Sequence, residues 1–277
     1  MCQVLEVSRS GYYAWRKREP SALSIENQKI VLEMKAIFAQ SRQSYGSPRM
    51  CTELRSRGWS VSRQRVARLM RKAGLKVKAQ RRFIPATTDS NHGLFISPNR
   101  LKRNFRVGKI NRAWVSDITY IHTLEGWLYL TTVMDLGDRR IIGWATSETM
   151  GARETTVAAL KMATANRKPA KRTIFHSDRG VQYACREFRK ELKRHKISRQ
   201  SMSRKANCWD NAVAESFFKS VKKEWLYTQT FANRAQAQLA VFEYIETWYN
   251  TRRRHSALGS KSPQQFHLER LLLNKAA

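Results

Sequence analysis

The sequence predicts an α/β chain in two parts: an all-α segment at the front and, behind it, a core built on a mixed sheet with flanking helices. Three observations carry this. Residues 21–82 place apolar side chains at helical spacing between capping residues and glycines, whereas after residue 109 the pattern turns to β-branched and aromatic runs. The charge is also uneven. Of 53 Lys+Arg and 21 Asp+Glu in 277 residues (net +32), residues 1–110 hold 24 and 6, and residues 111–277 hold 29 and 15. So basic a chain points to a polyanionic partner. With 42% hydrophobic residues it can still bury a core, which sets it apart from a disordered basic tail. Its apolar stretches, such as 127–130, fall far short of the roughly 18 residues a membrane span needs, and the N-terminus shows no signal core. Cys2, Cys51, Cys185 and Cys208 form no CxxC pair and have no histidines at zinc-ligand spacing, which fits a reducing cytosol without structural zinc.

In the front segment, Ser24 is the expected cap of a helix with Ile30, Val31, Met34, Ile37 and Phe38 on one face. Ser47-Pro48 opens a second helix through Met50, Cys51 and Leu54 to Gly58. A turn over 58–62 leads to a third, where Val66, Leu69 and Met70 make an apolar stripe ending at Gly74. Arg63, Arg65, Arg68, Arg71 and Lys72 project from its remaining surface. Two short helices about a tight turn, the second rich in arginine, read as a helix-turn-helix DNA-binding domain over 21–82, the arginines meeting phosphates or guanine edges. Between residues 42 and 82 stand 13 basic residues against one acid, Glu53. Residues 1–20 look like the tail of another such module, which predicts further sequence upstream. Residues 83–110, with Pro85, Gly93, Pro98, Arg100, Lys102, Arg103 and Arg106, read as a basic linker.

Strands are expected at 113–121, 127–135 and 140–146, with a turn at 136–138. A helix over 152–165, a strand at 173–177, a helix over 186–196 and a strand at 199–202 follow. Three antiparallel strands and then helix, strand, helix, strand is the order of a ribonuclease-H-like core with a five-stranded mixed sheet, placed at 111–228. Residues 229–277 form a helical C-terminal extension whose Leu239, Phe242, Ile245 and Tyr249 are expected on one packing face, closed by the basic cluster Arg252, Arg253, Arg254 and His255.

Pattern alone leaves other topologies open, and the acids narrow them. A carboxylate in an apolar strand loses hydration unless a cation compensates it. Asp117 lies in the first strand, Asp178 at the end of the fourth, and Glu215 near the start of a helix. If strands one and four are parallel neighbours, the aspartates stand side by side and Glu215 closes the cluster. Three converging carboxylates suit two Mg²⁺ ions, hard cations that prefer oxygen, and two ions roughly 3.5–4 Å apart activate the attacking oxygen and stabilise the leaving one in phosphoryl displacement. Asp135, Asp138, Glu154 and Glu187 read as structural acids, Asp210 as a helix cap, and His176 as a support rather than a catalyst.

Four strings carry a resemblance: Trp-Val-Ser-Asp-Ile-Thr-Tyr at 114–120, His-Ser-Asp-Arg-Gly-Val-Gln-Tyr at 176–183, Ser-Met-Ser-Arg-Lys-Ala-Asn-Cys-Trp-Asp-Asn-Ala at 201–212 and Trp-Tyr-Asn-Thr-Arg-Arg-Arg-His-Ser-Ala-Leu at 248–258. Together they resemble the second-frame product, OrfB, of the insertion-sequence-three family of bacterial transposases, over nearly the whole chain. The resemblance implies a transposase with a retroviral-integrase-like core, in which Asp117, Asp178 and Glu215 match the Asp-Asp-Glu positions. It implies Mg²⁺- or Mn²⁺-dependent cleavage of one strand at the transposon end, then attack of the freed 3′-hydroxyl on target DNA. It also implies an upstream-frame partner or fusion, a homo-oligomer joining two double-stranded ends, and a place on the bacterial nucleoid. One departure stands out: 36 residues separate Asp178 from Glu215, one more than the family pattern, with the surplus at Ile197-Ser198-Arg199.

Lys219 and Lys222 follow Glu215 by four and seven residues and share its helical face, placed to hold end phosphates. Arg204 and Lys205, after Ser203, are expected in a mobile DNA-contacting loop. Two other functions fit the same features: a non-catalytic regulator occupying the ends, and a ribonuclease-H-like nuclease.

Overall fold

The computed structural model describes residues 2–77, 92–205 and 207–276. They form two compact units, divided between Ala79 and Gln80. Pro85 and the rest of 83–91, where the linker was expected to begin, lie outside the described residues.

The first unit is helical: α1 (Arg9–Lys17), α2 (Ala22–Gln40), α3 (Ser47–Ser56) and α4 (Arg63–Lys72). Ser21, not Ser24, caps α2; its side chain accepts from the Ser24 N–H. Gly46 caps α3, so Ser47-Pro48 lies inside the first turn. Ser62 caps α4 as its position implies. Ile30, Met34 and Ile37 of α2 are buried, as are Met50, Cys51 and Leu54 of α3 and Val66, Leu69 and Met70 of α4. This three-stripe core orients the helices and leaves the charged faces outward. Gly58 and Gly74 follow α3 and α4 at φ +89° and +69°, a left-handed conformation that glycine takes without Cβ strain.

The second unit is a five-stranded sheet in the order β3-β2-β1-β4-β5. β1 (Ala113–Thr123), β2 (Gly126–Asp135) and β3 (Ile141–Ser147) are antiparallel, and β4 (Ile174–Ser177) and β5 (Arg199–Met202) continue in parallel from β1. The helices are α5 (Ala158–Asn166), α6 (Val181–Ala184), α7 (Arg186–Arg194), α8 (Ala212–Glu224), α9 (Arg234–Phe242) and α10 (Pro263–Ala276). Trp114, Val133, Leu160, Phe175, Tyr183, Phe188 and Met202 pack in one core. α5 lies so close to β3 that a Cβ on Gly143 would come within 2.3 Å of the Ala159 carbonyl oxygen; no larger residue fits there without moving backbone. The surplus residue at 197–199 is absorbed in the turn from α7 to β5, where Lys196 takes φ +58° and Ile197 is buried, and β5 keeps a continuous register on β4 from Ile174↔Arg199.

Three expectations change here. Residues 96–101 are folded onto β5: Ser97 Oγ donates to Gln200, and Ser201 Oγ accepts from the Arg100 and Leu101 amides at 2.8 and 3.2 Å. On α9 Leu239 and Phe242 are exposed, whereas Ala237 and Val241, and Tyr244, Ile245 and Tyr249 in the turn that follows, are buried. The reason is a π-helical turn over Glu243–Tyr249, which rotates the packing face relative to a uniform helix. Arg253 leaves the expected basic cluster, being buried in a bidentate pair with Glu224 at 2.7 Å.

Asp135 and Asp138 are structural acids in a buried network. Arg167 donates to both, at 2.7 and 2.9 Å, and His267 of α10 lies 2.9 Å from Asp138. Burial pushes the Asp138 carboxyl up, but the His267 and Arg167 hydrogen bonds outweigh it and hold it below the usual range. Removing Arg167 leaves two carboxylates without their cation in the interior. Arg167→Ala is expected to cost about 3–5 kcal/mol in urea unfolding, and a loss under about 1 kcal/mol, the scale of an exposed pair, would show that the network is wet and weak.

Candidate active site

β1 and β4 pair in parallel through Ala113↔Ile174, Trp114↔Phe175 and Val115↔His176. Asp117 stands two residues beyond Val115, and Asp178 two beyond His176, so continuing the register sets Asp117, within β1, level with Asp178 just past the end of β4. Asp117 sits opposite Thr132 of β2 and accepts from the Ile118 amide at 2.9 Å. The Gly180 amide donates to Asp178 Oδ1 at 3.0 Å as the chain turns into α6. Glu215 is in the first turn of α8 and is exposed.

Burial and then the charge of Asp178 push Asp117 well above the ordinary carboxylate range; Glu215 adds to this, while the Ile118 amide and Lys222 oppose it. Burial and Asp178 likewise raise Glu215. Burial and the neighbouring carboxylate charges disfavour the ionised forms of Asp117 and Glu215, and a hard divalent cation with oxygen ligands would stabilise them. The donor set fits such an ion. Among the described residues no three His, Cys, Asp or Glu side chains are gathered at the spacing of a formed metal site.

Residues without a role in the sequence reading support this arrangement. Tyr183 is fully buried, its hydroxyl 2.7 Å from Ser116 Oγ, and burial together with the Asp117 and Asp178 charges keeps it neutral. Asn211 donates to the Ser116 carbonyl at 3.1 Å, tying the entry of α8, and so Glu215, to the backbone beside Asp117. Both lie in the strings quoted above, but nothing in their spacing announced a partner. His176 is fully buried, 2.8 Å from Ser201 Oγ, and burial pushes its imidazole down to about 4. It braces β4 on β5.

The basic residues separate into two groups. Arg63, Arg68, Arg71 and Lys72 are exposed on α4. Arg65 is half-buried and donates to Glu26 Oε2 at 2.8 Å and Asn27 Oδ1 at 3.0 Å, so its guanidinium holds α4 on α2. Lys219 is exposed. Lys222 is half-buried with its ammonium 4.8 Å from the Tyr120 ring centroid. Lys205 is exposed, but Ser203 and Arg204 are tied in place rather than loose: the Ser203 amide donates to the Ser177 carbonyl, and Arg204 to Asp210. Asp210 is correspondingly no helix cap. It is fully buried and accepts from Asn99, Arg103 and Arg204. The Arg204 hydrogen bond, foremost, holds its carboxyl well below the usual range. A depressed folded-state pKa gives stability that is complete above the unfolded value, about 3.9, and lost as pH falls through the folded one. The stability advantage of wild type over Asp210→Asn in urea is expected to shrink between pH 5 and pH 3; an advantage constant over that range contradicts the pairing.

A helical DNA-binding type of domain and a carboxylate-bearing five-stranded α/β core define the class of DDE polynucleotidyl transferases. The "HTH-like domain" family matches residues 25–83, and two "Integrase core domain" families match residues 109–208 and 197–263. The chain is 43% identical over 277 residues to the transposase InsF of insertion sequence IS3A from Escherichia coli K12, covering 98% of this chain and 94% of that protein. It is 44% identical over 266 residues to a 31 kDa protein of insertion element IS600 from Shigella sonnei, covering 96% and 97%. Among solved structures, the catalytic core of BIV integrase is similar with a TM-score of 0.43 and 14% identity, covering 60% of this chain and 99% of that one. The chain belongs to the insertion-sequence-three (IS3) family of transposases. It is an enzyme of DNA transposition with an HTH-like helical domain. Among the described residues no helix is long and apolar enough to cross a membrane.

Proposed function

We propose that this transposase uses Asp117, Asp178 and Glu215 to hold two Mg²⁺ or Mn²⁺ ions, cuts one strand at each end of its insertion element, and joins the freed 3′-hydroxyl to target DNA. The observation that carries the reading is the meeting of Asp117 and Asp178 across the parallel β1/β4 pair, with Glu215 near enough for the charges to perturb one another. When bound, the metal supplies activation of the attacking oxygen and stabilisation of the leaving one. The protein's own residues do the rest. Asn211 fixes the start of α8, Tyr183 and Ser116 hold one another as a buried hydrogen-bonded pair next to Asp117 in the strand, and α4 offers its exposed cations to the duplex. Two ends must be brought together, which calls for at least two copies of the chain, acting with or fused to an upstream-frame product, on DNA in the bacterial cytoplasm. Labelled terminal DNA incubated with the protein and Mg²⁺ tests the reading: strand cleavage leaving a 3′-hydroxyl supports it, whereas tight binding without cleavage favours a regulator.

Lys219 and Lys222 differ in this scheme. Lys219→Ala is expected to lower the salt slope of end binding by about one phosphate contact. Lys222, over the Tyr120 ring and favouring the charged form of Asp117, is expected to affect cleavage more than affinity. Fluorescence anisotropy across a salt series, beside a cleavage assay, checks both; identical effects of the two alanines on both readouts would contradict the distinction.

A further inference from the structure

Asp210 sits where a DNA-binding surface has little use for an acid, in the 3-10 turn that leads into α8 and Glu215. Its side chain is fully buried, and its carboxylate accepts five hydrogen bonds: Asn99 Nδ2 at 2.9 Å, Arg103 Nε at 2.8 Å, and the Arg204 amide, Nε and Nη2 at 3.0 Å each. The two arginines come from separate parts of the chain, one from the segment before β1 and one from the turn after β5. Neither is enclosed, since their side chains remain 43% and 58% exposed. Arg103 is fixed a second time by donating Nη2 to Asn207 Oδ1 at 2.8 Å. Its backbone is held as well: Lys102 and Arg103 both take left-handed φ values, +47° and +62°, in a turn closed by the Lys102 amide on Asn99 Oδ1. Two consecutive residues other than glycine in that conformation store strain, which persists where surrounding contacts impose it.

One edge of each guanidinium is therefore fixed through Nε and Nη2, while among the described residues Nη1 of each makes no hydrogen bond to the protein and the side chains stay partly exposed. Two cations on one anion leave a surplus positive charge, with exposed Arg100, Lys102 and Lys205 close by in sequence. Planar guanidinium groups match phosphate oxygens in a way that a lysine ammonium does not. We propose that Asp210 holds Arg103 and Arg204 as a preformed two-arginine clamp for a backbone phosphate of the DNA strand entering the active site. Asp210 is then a positioning residue, and the rotamer freedom the arginines would lose on binding is already lost in the free protein. The inference rests on the reading of the chain as acting on DNA.

The test turns on sign. Asp210→Asn adds one unit of positive charge to a chain already at +32, so unspecific electrostatics predicts tighter DNA binding. The clamp predicts weaker binding, by about tenfold, with a salt slope smaller by about one. The charge-conserving double variant Arg103→Lys, Arg204→Lys keeps the attraction but loses the fork, and is expected to bind several-fold more weakly. Anisotropy with labelled terminal DNA, at a temperature where each variant is shown folded by circular dichroism, reads all three proteins. Weaker binding by both variants supports the clamp. Tighter or equal binding by Asp210→Asn overturns it, as does wild-type affinity in the double lysine variant, which decides alone if Asp210→Asn does not fold. Failure of the wild type to bind DNA would instead sink the reading on which the clamp rests.

Discussion

Asp117→Asn is expected to lower strand cleavage by at least about a thousandfold, the scale seen when one member of a catalytic unit is removed, while DNA affinity stays within about twofold. The substitution keeps shape and hydrogen bonding to the Ile118 amide but removes the charge at the centre of the carboxylate group. Because Asp117 is disfavoured as an anion in the free protein, its replacement by a neutral amide also relieves repulsion, and the variant is expected to unfold at the same or slightly higher urea concentration. Loss of activity with retained or raised stability separates a chemical role from a structural one. Cleavage within about tenfold of wild type would remove Asp117 from the chemistry.

Replacing Arg63, Arg68, Arg71 and Lys72 together with alanine is expected to weaken binding to terminal DNA by about a hundred- to a thousandfold near physiological salt and to lower the salt slope by about three to four. These four project into solvent from α4, whose opposite face is buried through Val66, Leu69 and Met70. The helix should survive, since nothing in the core is touched. Arg65 provides the contrast: its guanidinium is engaged by Glu26 and Asn27, so Arg65→Ala should lower stability modestly and leave the salt slope nearly unchanged. Equal slopes for wild type and the fourfold variant would move the DNA contact away from α4.

What could be read from the sequence followed from local periodicity and local chemistry. Val66, Leu69 and Met70 are three and four residues apart, and their burial follows from helical geometry alone. The strands of β1 to β3 were legible because β-branched and aromatic residues cluster in them. Asp117 and Asp178 stood out because an acid in an apolar strand is costly, and the parallel pairing of β1 with β4 gives the physical reason they meet. The face of α9 was misplaced because a π-helical turn changes the angular step per residue, and no residue in 243–249 signals that change. Asp210 reads as a cap in the sequence because only Arg204, six residues before it, is a local partner, while Arg103 and Asn99 lie 107 and 111 residues away, a distance over which spacing carries no information. The same holds for Arg65, which looked like its neighbours on α4 until α2 was packed beside it. Charge composition identified the partner as a polyanion, but only the tertiary structure distinguishes cations that hold the protein together from cations that remain open to DNA.

The central claim is that Asp117, Asp178 and Glu215 together hold the divalent ions that act on DNA. Electron paramagnetic resonance of Mn²⁺ titrated into the complex of the protein with terminal DNA measures this directly, comparing wild type with Asp117→Asn, Asp178→Asn and Glu215→Gln. The account predicts tight Mn²⁺ binding in wild type and lower occupancy in each of the three variants, with DNA still bound. Unchanged Mn²⁺ occupancy in all three would contradict it.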